Sequence, residues 1–303
     1  MKIFLNGYVL ALVSVFFWSF NVLIAHYLSN QLTPFQIAFG RWFVAALVLL
    51  PLTAKSVWNN RKILWTHRKH VFVSALIAVV LQNTIVYQAG RTASVINMAL
   101  LGTMAPIFLV IFSKIFLHTS ISVKQIIGFG IALLGVLIII SKGRLNDLLH
   151  IPVVPGDFWM LFMTVIFGAY GVLQTRKTDV PALTLLGAMV FIGVLILTPV
   201  FLITLWTDPV RHLTTEAVVI VIYMGLCPSI ISYLCWDISL EKIGALKTGL
   251  LYYLMPVFSS IEAYFIIGEK MSAAQLCGGI LVISGVFIAA YHHAKHQVAI
   301  HRV

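Results

Sequence analysis

Apolar residues run through this chain in long blocks separated by short polar intervals. A bilayer crossing needs about 20 mostly apolar residues, and ten blocks meet that length: 7–28, 34–54, 71–90, 94–117, 121–141, 156–175, 182–206, 216–236, 244–267 and 272–292. The pattern predicts an all-α polytopic membrane protein of ten transmembrane helices. The longest connections, 54–70 and 142–155, are too short to fold alone. The first block is longer than the apolar core of a cleavable signal and is followed by no small-residue cleavage site, so it is expected to be retained.

The blocks are duplicated. Residues 94–141 align without a gap on 244–291 at an offset of 150, matching Pro106 to Pro256, Phe108 to Phe258, Gln125 to Gln275, Gly128 to Gly278 and Gly135-Val136 to Gly285-Val286. A weaker register at 149 sets Gly7 against Gly156, Trp18 against Phe167, Asn21 against Tyr170 and Ala25 against Gln174. Five blocks per copy is odd, so the second copy enters the membrane upside down. The expected organisation is two inverted five-helix repeats, 1–146 and 147–303, the plan of secondary transporters that build a substrate path between related halves.

Each duplicated proline lacks an amide proton and clashes with the carbonyl four residues earlier. Pro106 is therefore expected to free the carbonyl of Gly102, and Pro256 that of Tyr252. Gly128, Gly130 and Gly135 in the fifth block and Gly278, Gly279 and Gly285 in the tenth lie among Ile, Leu and Val. Small residues let helices approach closely, so these blocks read as packing braces or as the surface of a homodimer.

Composition agrees: 61% of residues are hydrophobic, 10% are charged and the mean hydropathy is +1.02, against about 25% charged in a soluble domain. The net charge of +11 does not mark a nucleic-acid binder, because it is distributed by side. With the amino terminus inside, thirteen Lys and Arg residues fall in inner segments, among them Lys55, Arg61, Lys62, Arg68 and Lys69. Five fall outside: Arg91, Lys142, Arg144, Arg211 and Lys270. Basic loops stay on the cytoplasmic side, which predicts both termini inside, in a bacterial inner membrane. Cys227, Cys235 and Cys277 lie within blocks, have no metal-ligand spacing and read as small packing residues. No cofactor or metal is expected.

Charges inside spans point to function because hydrocarbon makes them costly. Arg41 lies about seven residues into the second block, roughly 10 Å deep at 1.5 Å per residue. Glu262 lies five residues before the outer end of the ninth, at a similar depth, so the two can pair. Lys114 and Lys247 sit near inner ends, where their stems snorkel. His26 reads as interfacial, and the tail histidines 292, 293, 296 and 301 as lying at the inner surface. Uncharged candidates are Trp18, Asn21, Asn83, Tyr87, Asn97, Tyr170, Gln174, Tyr233, Trp236, Tyr252 and Tyr253, which suggest a pocket with aromatic walls and oriented amides for an organic solute. The competing reading is an interfacial aromatic belt, which fits Trp206 and Trp236 best.

Ten spans, the five-plus-five repeat, and a kinked fourth helix followed by Gln-x-x-Gly-x(6)-Gly-Val resemble the EamA type of the drug/metabolite transporter superfamily. Arg41, Pro106, Gln125, Gly128 and Gly135-Val136 carry the match in the first copy. Pro256-Val257-Phe258, Gly268-Glu269-Lys270, Gln275, Gly278 and Gly285-Val286 carry it in the second. The resemblance implies export or exchange of small metabolites such as amino acids, or of drug-like compounds. Two departures stand out: His118-Thr119 replace the Gly-Glu pair in the first copy, and Glu262 stands where an uncharged residue is usual.

Other classes are disfavoured. There is no His-Glu-x-x-His, no Gly-x-Ser-x-Gly, no phosphate-binding loop for an ATP-driven pump and no filter-like segment of a channel. Transport must then draw on a gradient. Glu262, read as the only acid well inside a block, is the candidate for proton coupling, with a permanent Arg41–Glu262 pair as the structural alternative.

Overall fold

The polar intervals fall where helices start, stop or break. A computed structural model describes residues 6–28, 31–176, 178–210, 213–268 and 270–300, with side chains omitted at 22, 23, 25, 26, 266, 267 and 291–300. The side chains of His26 and of the tail histidines, and Glu269, lie outside that description.

All regular elements among these residues are helical. The first copy contains α1 (Gly7–Ser19), α2 (Asn21–Leu28), α3 (Pro34–Asn59), α4 (Arg61–Thr66), α5 (Arg68–Ala75), α6 (Gln82–Ala89), α7 (Val95–Gly102), α8 (Ala105–Phe116) and α9 (Val123–Ile140). The second contains α10 (Pro155–Gln174), α11 (Ala182–Thr207), α12 (Thr215–Met224), α13 (Ser232–Leu251), α14 (Met255–Ile267) and α15 (Ala273–Ile300). Widened π-helical turns join α5 to α6 at Leu76–Leu81 and α12 to α13 at Gly225–Ile231.

Among the described residues, eight stretches are long and apolar enough to cross a membrane, against the ten expected. The first block forms the shorter helix Gly7–Ser19, interrupted at Phe20 before α2. The eighth and ninth blocks run together as Thr215–Phe265. That stretch of 51 residues would reach about 75 Å if straight, against a core of about 30 Å. It turns at Gly244, whose φ of 80° and ψ of 163° leave the helical region. The 54–70 connection is also more ordered than its polarity suggests, since α3 continues to Asn59 and α4 follows at once.

The duplication governs local geometry. Ser122 and Gln125 form a reciprocal N-cap on α9, at 2.9 and 3.2 Å. Ser272 and Gln275 form the same cap before α15, at 2.8 and 3.2 Å. The repeated Gln therefore satisfies orphan helix amides. Gly268 takes a left-handed φ of 67°, and its counterpart His118 takes 51°, so the departure from Gly-Glu changes the residue while keeping the turn. The helices part at Thr103–Met104 and at Tyr252–Leu254, and each downstream helix starts with its proline in the first turn.

The motif glycines cross each other. A Cβ on Gly135 would meet the Gly278 carbonyl at 2.6 Å, and one on Gly128 would meet that of Gly285 at 2.6 Å. These paired contacts make α9 and α15 antiparallel and brace the copies within one chain.

Candidate functional site

A cavity of about 330 Å³ opens between α7, the first half of the fourth block, and α14, the second half of the ninth. Its walls come from Val95 to Thr103 on one side and Tyr252 to Ala263 on the other, with Ser19, Phe20, Met160 and Gln275 completing them and Lys142 at its edge. Of the residues expected at a site, Tyr252, Tyr253 and Glu262 line it. Most of the surface is apolar, with Ser19, Ser259, Ser260 and Glu262 supplying polar atoms.

Arg41 and Glu262 do not pair. The Ser19 hydroxyl donates to Glu262 Oε1 from the end of α1. Arg41 is fully buried and its guanidinium donates to Ser229 Oγ at 2.6 Å, Tyr87 Oη at 2.9 Å, the Pro228 carbonyl at 2.9 Å and Asn21 Oδ1 at 3.2 Å. Four neutral acceptors hold the cation where an ion pair was expected. Similar depth along two helices does not make their side chains neighbours.

The other expected residues pack into a solid layer beside the cavity. Trp18 donates to the Pro228 carbonyl at 2.9 Å and sets its ring 5.3 Å from Tyr233, 5.2 Å from Trp236 and 6.0 Å from Phe167. Trp236 is fully buried, which removes it from any aromatic belt, whereas Trp206 is 89% exposed and fits one. The π turns present carbonyls to this layer at equivalent places. Ala78 O accepts from Asn83 at 2.9 Å and lies 3.2 Å from the Tyr233 hydroxyl; Pro228 O, 150 positions on, accepts from Trp18 and Arg41. Among the described residues, the indole N–H groups of Trp42 and Trp236 and the Gln82 amide nitrogen have no partner.

Asn97 lies apart from this layer. It donates to both oxygens of Asp157, at 2.9 and 3.0 Å, and ties the start of α7 to the start of α10. It reads as a clamp at one end of the molecule.

Sequence reasoning missed Asp237, one residue beyond the assigned end of the eighth block. The helix continues, so Glu262 is not the only embedded acid. The Tyr170 hydroxyl donates to the Asp237 carboxylate, 2.9 and 3.0 Å from its two oxygens. Gln174 donates to the Tyr170 oxygen at 2.8 Å and reaches Asp237 at 3.4 Å. The available signal was an acid four residues after Tyr233, on the same helical face.

The first half of α8 is packed shut. Leu109 is fully buried; a Cβ on Gly171 or Gly249 would stand 2.5 or 2.7 Å from its methyl carbons, and one on Gly168 2.8 Å from its backbone nitrogen. In the two registers Leu109, Gly249 and Gly168 correspond to Ser259, Ala99 and Ser19, all of which line the open cavity. Among the described residues no group of three His, Cys, Asp or Glu side chains is placed to hold a metal.

A duplicated helical chain with apolar spans, a cavity between the matching fourth and ninth spans and a packed closure beside it defines a multi-pass membrane transport protein. The chain belongs to the EamA-like transporter family, whose profile matches residues 5–141 and again 154–291. It is 27% identical over 304 residues to "Uncharacterized transporter YyaM" of Bacillus subtilis (strain 168), covering 98% of this chain and 99% of that one. It is 22% identical over 303 residues to "S-adenosylmethionine uptake transporter" of Rickettsia prowazekii (strain Madrid E), covering 99% and 98%. A solved crystal structure aligns with a TM-score of 0.77 at 17% identity, covering 96% of this chain and 98% of that one, which shows a shared fold.

Proposed function

We propose that this chain is a secondary transporter that exports or exchanges small organic metabolites, amino acids and related compounds among them, by alternating access. The carrying observation is the asymmetry between its halves. Ser19, Ala99 and Ser259 stand open in the cavity, while the equivalent Gly168, Gly249 and Leu109 are packed shut. Inverted halves that exchange these two arrangements would move a solute across the membrane.

Ten crossings follow if α1 and α2 act as one span and the chain reverses at Gly244. The halves would then be 1–146 and 147–303, with both termini cytoplasmic in a bacterial inner membrane. The cavity volume suits a small solute. Its apolar walls and hydroxyls fit an organic body carrying polar groups. Glu262 faces that solute and is the coupling carboxylate on the open side. The related S-adenosylmethionine transporter, named for an amino-acid derivative, supports this substrate range.

Purified protein in vesicles, screened with radiolabelled amino acids, amines, nucleosides and organic acids, tests the reading. Accumulation or exchange of at least one class above protein-free vesicles is expected. No flux with any class, from protein shown to be folded, would overturn it.

A further inference from the structure

We propose that Asp237, oriented by Tyr170 and Gln174, is a proton-binding site on the closed side of the protein. As a proton site it stands alone; its use in coupling rests on the transport reading above.

Asp237 lies in α13 seven residues before the turn at Gly244, about 10 Å along the helix. A carboxylate at this depth is costly unless it is paired or wet. Its hydrogen-bond partners are the neutral Tyr170 and Gln174. The surrounding elements supply no embedded countercharge. From α10 the ionisable groups are Tyr170 and, at the far end, Asp157. α11 carries none, α8 carries the exposed Lys114, and α1 carries Tyr8 near its start. The turn before α14 adds Tyr252 and Tyr253, and the π turn adds Cys227. On α13 itself, Tyr233 and Cys235 precede Asp237, while Glu241, Lys242 and Lys247 lie toward the Gly244 turn and beyond it. Arg41, beyond Tyr233, is engaged by its four neutral acceptors.

The geometry accommodates both protonation states. As a carboxylate, Asp237 accepts from Tyr170. When protonated, one oxygen still accepts from Tyr170, and the other carries its hydrogen toward the Gln174 amide, which offers an oxygen once rotated. One proton is taken from water, the side-chain charge goes from −1 to zero, and the turn of the Gln174 amide is the accompanying rearrangement. The approach is polar: His70, at the start of the Arg68–Ala89 span, lies beside Gln174. Trp18, Phe167, Trp236 and Tyr252 form one aromatic cluster, and Tyr252 lines the cavity that holds Glu262, whereas Asp237, next to Trp236 in α13, does not line it.

Infrared difference spectra of the purified protein, recorded across a pH series without any solute, test the site. A protonated-carboxyl C=O band is expected that disappears in Asp237→Asn and survives in Glu262→Gln. Tyr170→Phe keeps the ring packing but removes a donor to the charged form, so the band should shift in frequency and persist to higher pH. A band unchanged in Asp237→Asn, or a Tyr170→Phe titration that matches the parent, overturns the proposal. If Asp237→Asn does not fold, the Tyr170→Phe titration decides by itself. An intact band in protein that moves no solute would sink the transport reading and leave this site standing.

Discussion

Asn83 and Tyr233 are separated by the 150-residue repeat offset, and the Asn83 amide lies 3.3 Å from the Tyr233 hydroxyl. Equivalent positions that touch must straddle the axis relating the two copies, so this contact marks the centre of the molecule. Around it the copies have diverged in charge. Tyr87 and Asn21, which accept from Arg41, correspond to Asp237 and Tyr170, which bond each other. The first copy places a cation beside this centre and the second an acid, on scaffolds that remain matched down to their π turns.

Sidedness is tested first. The basic interval 55–69 and the 142–155 connection are expected on opposite faces. Single cysteines at Asn60→Cys and Asn146→Cys, in a background lacking the three native cysteines, should react with an impermeant maleimide from opposite sides of oriented vesicles. Reaction of both from one side would refute the topology.

The α9–α15 crossing predicts a contrast between neighbouring glycines. A Cβ on Gly135 collides with the Gly278 carbonyl, while one on Gly130 meets nothing within 4 Å. Gly135→Val should lower thermal stability in detergent by an amount in or above the range of about 1–3 kcal/mol typical of overpacking. Gly130→Ala should leave it unchanged, and equal melting temperatures for the two variants would count against the close approach.

The buried guanidinium makes Tyr87 a structural partner. Tyr87→Phe deletes one of its four acceptors, and a buried donor left unsatisfied costs about 1–3 kcal/mol. Reduced thermal stability with normal membrane insertion is expected. Stability equal to the parent would mean that water replaces the hydroxyl.

The sequence showed what depends on spacing along one helix and missed what depends on neighbouring helices. The span pattern, the repeat and the glycine crossing all follow from apolar length and from recurring small residues. Glu262 was singled out as a charge inside a span and Tyr252 as an aromatic just before a duplicated proline, and both line the cavity. Arg41 was found, but its partners come from α2, α6 and the second π turn, and no periodicity reports that. Asp237 was lost because a hydropathy boundary was drawn at the first charge, although the helix continues past it. Asn97 was misplaced because its partner Asp157 lies 60 positions away.

Glu262 and Ser19 carry the coupling proposal on the open side. Glu262→Gln keeps the shape and the contact with Ser19 but cannot exchange a proton. Solute exchange should persist in vesicles, while accumulation driven by a pH gradient should be lost. A variant that still accumulates solute with the parent's pH dependence would remove Glu262 from coupling.

Leu109 provides the sharpest test of alternation. It fills a socket formed by Gly168, Gly171 and Gly249, and Leu→Ala changes at such sites cost about 2–5 kcal/mol. That loss falls on the state seen here, in which the socket is closed, and should favour the opposite one. Thr248→Cys, buried beside the socket, reports on the closed end; Ala99→Cys, equivalent to Gly249 and lining the cavity, reports on the open end. Introducing Leu109→Ala should raise labelling of Thr248→Cys from the Asn60 side and lower labelling of Ala99→Cys from the other. The reciprocity matters, because a merely loosened protein would expose both cysteines. A rise at both positions would show that Leu109 only fills space and does not gate.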